Sequence, residues 1–140
     1  MFATDSEFED FIAAFESRSL PKPRWTHHAH LAVALWYLSR ETPAQALEVV
    51  RRNIRAYNTS VGTINDDHNG YHETLTQLFL RGVSAHITQH SQIPLVESLA
   101  ALVKSPMARS DWPLRFYSKG RLFSVAARHD WIEPDFEENQ

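Results

Sequence analysis

Apolar residues in this chain recur at the three- and four-residue spacing of one helical face, in segment after segment, with proline, glycine or turn residues between them. Phe8, Phe11, Ile12 and Phe15 mark the first such face, a pattern that a helix buries on one side and a strand would divide between two. Ser6 with Glu9 reads as a capping box, so helix one is expected over residues 6–17. Pro21 and Pro23 then interrupt the chain, and Thr26 is a suitable N-cap for helix two, about 27–40. Thr42, Pro43 and Gln45 supply the cap, first-turn proline and capping-box partner of helix three, whose stripe of Leu47, Val50, Ile54 and Tyr57 ends near Asn58.

Residues 59–70, TSVGTINDDHNG, carry the glycine, asparagine and aspartate that favour turns. A connection of that length between helices is long. Helix four follows over about 71–89 with Leu75, Phe79 and Val83 on one side. Pro94 opens helix five, carrying Leu95, Leu99, Leu102 and Val103, and Pro106 closes it. The remainder is irregular, with a short helix expected near 124–128 and an acidic end, 135–140, expected to fray. Together these segments predict an all-α, single-domain, up-down bundle of about five helices over residues 1–140.

Composition narrows the function. The 140 residues contain no cysteine, which excludes disulfide scaffolds, thiol catalysis and cysteine-ligated metals. No apolar stretch approaches the roughly 20 residues of a membrane span, and the N-terminus lacks a basic region followed by an apolar run. A cytoplasmic protein is therefore expected. Fourteen basic against 17 acidic residues leave a net charge of −3, and the basic stretch 104–128 lacks regular aromatic interleaving, so no nucleic-acid partner is expected. The eight histidines are the unusual quantity.

Five of the chemically interesting side chains fall at helix starts. His27, His28 and His30 lie in the first turn of helix two, and His72 and Glu73 in the first turn expected for helix four. In an up-down bundle those two helices run parallel, which brings both clusters to one end. A rotation of about 100° per residue puts His27 and His30 on the apolar face of Leu31, Ala34 and Leu38, turns His28 to the flank, and aligns His72 with Thr76, Phe79 and Val83. Glu73 lies at the edge of that face. Imidazoles at apolar-face positions need partners.

Three arrangements answer that need. In the first, His27, His30 and His72 hold a divalent transition metal (zinc, iron, nickel or manganese), with Glu73 as a fourth ligand or as the base acting on bound water, as in a metal-assisted hydrolytic or oxidative enzyme. In the second, two helix N-termini with Arg115 and Arg121 bind an anionic phosphate or carboxylate ligand, with His27, His30 or His72 acting as acid or base and Glu73 orienting an imidazole. In the third, the histidines cap helix ends and bond backbone carbonyls within a non-catalytic binding or interaction module. Trp25 is placed to wall the pocket, and Tyr117, Arg115 and Arg121 are the candidate substrate-binding residues. A homo-oligomer is compatible with all three.

Other groups are set aside on position. His86 lies 14 residues beyond His72, about 21 Å along the axis, and belongs with His90 to the opposite end. The His129-Asp130 pair reads as exposed surface, and Arg51, Arg52 and Arg55 as a solvated outer face of helix three.

The segments Trp25-Thr26-His27-His28-Ala29-His30-Leu31, Asn69-Gly70-Tyr71-His72-Glu73-Thr74-Leu75-Thr76, and Phe116-Tyr117-Ser118 through Trp131-Ile132-Glu133-Pro134-Asp135 resemble those of a family of small uncharacterised bacterial helical proteins, over most of the chain after helix one. Its W-T-H-x-A-H-L and G-Y-H-E-T patterns correspond to His27, His30, His72 and Glu73. The resemblance implies a bacterial, cytoplasmic helical domain and assigns no activity.

Overall fold

The computed structural model describes residues 1–136, all helix, turn and loop. Helix α1 spans Asp5–Glu16 and buries Phe8, Phe11, Ile12 and Phe15 as their spacing requires. Its cap is Thr4 rather than Ser6. The Thr4 hydroxyl accepts from the Glu7 amide, so the cap sits two residues earlier than Ser6 and Glu9 suggest, and the Glu7 carboxylate takes the N–H of Ala3 rather than that of the cap residue.

Helix α2, His27–Leu38, is the centre of the bundle. Leu31, Ala32, Val33, Ala34 and Leu35 are all buried, as expected of a helix apolar on every side. It packs against α3 (Pro43–Ser60), α4 (Glu73–Gln89) and α5 (Leu95–Leu102). Thr26 caps α2, and the complete Thr42–Gln45 capping box opens α3. Both follow the expectation.

Helix α4 starts later than its apolar pattern indicates. His72 is the N-cap, outside the first turn, and its Nδ1 accepts the Leu75 amide. The C-terminal region holds two short helices, α6 (Lys119–Leu122) and α7 (Val125–His129). Helix α7 packs on α4, and Leu78 of α4, Tyr117 and Leu122 form a second, smaller core. Of the acidic end, Asp135 accepts the Ser118 amide and Phe136 donates to the Phe116 carbonyl; these two are tied down, and residues 137–140 lie outside the described residues. No described helix is long and apolar enough to cross a membrane.

The loop between α3 and α4 is organised around Asn65. Its Oδ1 accepts from the Tyr71 amide and Asn58 Nδ2, while its Nδ2 donates to the Arg55 carbonyl. Gly70 lies against this hub at φ +77°, where an added Cβ would come within 2.5 Å of Asn65 Oδ1 and the Ile64 carbonyl. Arg128 of α7 donates to the Gly70 carbonyl, and His129 Nε2 lies 2.7 Å from Asp67 Oδ1. His129 is thus exposed, as its position suggests, but it ties α7 to the loop.

Candidate functional site: a cavity at the shared helix starts

The starts of α2 and α4 line one cavity of about 510 Å³. Leu31 and Ala34 of α2, Val50 and Ile54 of α3, and Leu75 and Phe79 of α4 form its apolar walls. Its polar edge holds His27, His30, His72, Asn58 and Thr76. Among the described residues no Asp, Glu, Lys or Arg side chain lines it. Trp25 contributes another wall, tilted against the His30 ring at 3.9 Å between centroids and stacked on Phe15 at 4.8 Å.

The three histidines share the cavity but not a role, because each has different partners. A carbonyl oxygen only accepts, so the ring nitrogen that faces it must carry the proton. His72 Nε2–H therefore donates to the Leu122 carbonyl at 2.7 Å, and Nδ1 accepts the Leu75 amide at 3.1 Å. Both nitrogens are committed. The ring is buried, and desolvation lowers its pKa, in keeping with a neutral cap that joins the start of α4 to α6.

His27 Nε2–H donates to the Met107 carbonyl at 2.7 Å, in the 3₁₀ turn Pro106–Ala108 that follows α5. Its ring packs edge-on to Phe79. His30 Nδ1–H donates to the Thr26 carbonyl one turn back, also at 2.7 Å. Among the described residues nothing bonds His27 Nδ1 or His30 Nε2. His30 is exposed and lines the cavity, which is open to solvent at this residue. Desolvation lowers its pKa to about 4 against the raising effect of the Thr26 bond, and the neighbouring His27 lowers it further.

Glu73 is buried but does not line the cavity. Arg51 reaches it with two parallel bonds, Nε to Oε1 at 2.9 Å and Nη2 to Oε2 at 2.7 Å. Tyr71 Oη donates to Oε1 at 2.8 Å and Gln77 Nε2 to Oε2 at 2.6 Å. Burial pushes the Glu73 pKa up, yet the bonds from Arg51, Gln77 and Tyr71 outweigh it and hold the carboxyl below its ordinary value. Arg51 is therefore half-buried and paired across α3 and α4, not part of a solvated face. The i,i+22 pairing leaves no local signal in the sequence.

The expected substrate-binding residues divide. Trp25 lines the cavity. Tyr117 is buried in the second core with its hydroxyl on the Ile132 carbonyl, Arg121 Nε donates to the Glu133 carbonyl, and Arg115 is exposed beside a separate groove with Arg109 and Asp111. None of the three lines the cavity.

Comparison of the chain with protein-family models, curated proteins and solved structures found no match. The chemistry of the cavity must be read from its own side chains.

The donor set does not fit a metal ion as arranged. Among the described residues no group of three or more His, Asp or Glu side chains could hold one. His72 has no free nitrogen, and all of the Glu73 contacts are to hydrogen-bond donors. His27 and His30 retain one free nitrogen each, with the other oriented by a carbonyl. Two imidazoles fall short of the three protein ligands usual in a catalytic zinc site.

Proposed function

We propose that the protein binds a small organic molecule in the cavity between α2, α3 and α4, with His30 as its polar anchor. The observation that carries this reading is the cavity itself. A space of about 510 Å³, lined by apolar and aromatic walls with a few polar groups along one edge, has the size and make-up of a ligand pocket.

The pocket supports binding more than proton abstraction. A general base is most effective with a pKa near the working pH. The His30 imidazole, lowered to about 4, is neutral at pH 7 but a weak proton acceptor. It serves better as a fixed hydrogen-bond acceptor than as a base. An enzyme acting on the bound molecule remains part of the proposal only through chemistry in which His30 orients its substrate.

Ala34 lies on the cavity wall and is nearly fully buried. Ala34→Phe is expected to fill part of the space. Methyl NMR of the protein, titrated with a library of uncharged aromatic fragments, is expected to show saturable shifts at Ala34, Val50, Ile54 and Leu75, lost in Ala34→Phe. If no fragment shifts these methyls, or if the shifts persist in the filled variant, the cavity is not a binding site.

A further inference from the structure

The two imidazoles that keep a free nitrogen on the cavity edge, His27 and His30, present acceptors there, while the hydroxyls of Thr26, Thr63 and Ser110 can donate or accept. His30 gives its Nδ1 proton to the Thr26 carbonyl, which fixes the tautomer and leaves the Nε2 lone pair. His27, in its neutral form, gives its Nε2 proton to Met107 and retains the Nδ1 lone pair. Thr76 donates its hydroxyl proton to the His72 carbonyl and so retains an acceptor oxygen, and Asn58 commits one of its two amide protons to Asn65. The strongest donor of the neighbourhood, Arg51, is held by Glu73, and Arg128 is held by the Gly70 carbonyl.

From the free imidazole acceptors, the apolar walls and the absence of a cationic lining residue among the described residues we infer that the ligand is an uncharged molecule with an apolar, ring-sized body and an O–H group, an alcohol or a phenol, which it donates to His30 Nε2. The inference rests on the cavity being a binding site and adds the sign of the hydrogen bond. A carboxylate or phosphate would present lone pairs to the imidazole lone pairs, with no cationic side chain on the wall to compensate its desolvation. A hydrocarbon would leave the imidazole acceptors desolvated and unpaired. The Nδ1 bond to the Thr26 carbonyl and the Trp25 ring packed against His30 orient the imidazole, so the acceptor direction is set before the ligand arrives. The positive ends of the α2 and α4 dipoles are already partly answered by the caps Thr26 and His72.

The test compares 2-naphthol, naphthalene and 2-naphthoate at pH 7 by calorimetric titration, with ¹⁵N NMR of the histidine rings. 2-Naphthol is expected to bind about threefold to tenfold more tightly than naphthalene, the range one net hydrogen bond supports, and 2-naphthoate more weakly than either. The His30 Nε2 resonance is expected to move with 2-naphthol and stay in place with naphthalene. In His30→Phe, which keeps an aromatic ring against Trp25, 2-naphthol is expected to fall to the affinity of naphthalene. Should that variant fail to fold, the ring shift in the unmodified protein decides. Equal binding of naphthol and naphthalene, a silent His30 resonance, or a preference for naphthoate overturns the donor assignment while the cavity reading stands. Failure of all three to bind overturns the cavity reading as well.

Discussion

His72, His27 and His30 are the same residue type on the same cavity, and their hydrogen bonds divide them into a cap, a strut and a free acceptor. His72 stands where Ser, Thr, Asp or Asn usually cap a helix, and its second nitrogen also reaches α6. His72→Ala is expected to lose the cap, about 1 kcal/mol, and to leave the Leu122 carbonyl unpaired, about 1–3 kcal/mol more, read as a lower urea midpoint. His72→Asn, which can still cap, should recover part of that loss. At Gly70 the constraint is steric. With φ at +77° and Asn65 Oδ1 at 2.5 Å from the missing Cβ, Gly70→Ala is expected to cost about 1–3 kcal/mol, whereas Gly62→Ala, with open space around it, should cost less in the same denaturation measurement.

At the scale of elements, α3 and α4 are joined by one buried carboxylate. Arg51, Tyr71 and Gln77 all donate to Glu73, and removal of the arginine would leave that charge without its cationic partner. A fully buried pair broken in this way costs about 3–5 kcal/mol. With the Arg51 side chain 34% exposed, about 2 kcal/mol is expected for Arg51→Met. The double variant Arg51→Met, Glu73→Gln should lose less than the single one, which a double-mutant cycle in urea would measure. Most element boundaries were legible in the sequence because caps and prolines act locally: Thr26, Thr42, Pro43 and Pro94 stand where the helices begin. The two misplaced starts have local reasons too. Thr4-x-x-Glu7 and Ser6-x-x-Glu9 are overlapping capping-box patterns of which only one can supply the cap, and an imidazole cap at His72 looks in sequence like a first-turn residue.

Across the whole molecule, three histidines make folding sensitive to acid. Desolvation lowers the pKa of His30, His72 and His86 in the folded state; His86 sits at the far end of α4, with its Nε2 on the Ser98 carbonyl and its ring stacked on His90. A folded-state pKa below the unfolded one means that the unfolded chain binds more protons as pH falls. The stability these groups contribute is therefore complete above about pH 6.5 and declines as the pH drops toward 4. Glu73, also lowered, extends the loss below the ordinary carboxylate range. Urea midpoints are expected to fall between pH 7.5 and pH 5 by about 1–3 kcal/mol in ΔG, after allowance for the solvent in the cavity at His30. A flat profile over that interval would show that these imidazoles are not held neutral by the fold.

Sequence alone determined the all-helical architecture and the convergence of His27, His30 and His72 on one end, because helical period, caps and prolines are local and a parallel pair of helices brings its starts together. It did not determine what those side chains do. Whether an imidazole retains a free lone pair depends on carbonyls 50 and 80 residues away, at Leu122 and Met107, and whether Glu73 is a base depends on Arg51 from another helix. Those partners are chosen by packing, and only the tertiary structure sets them.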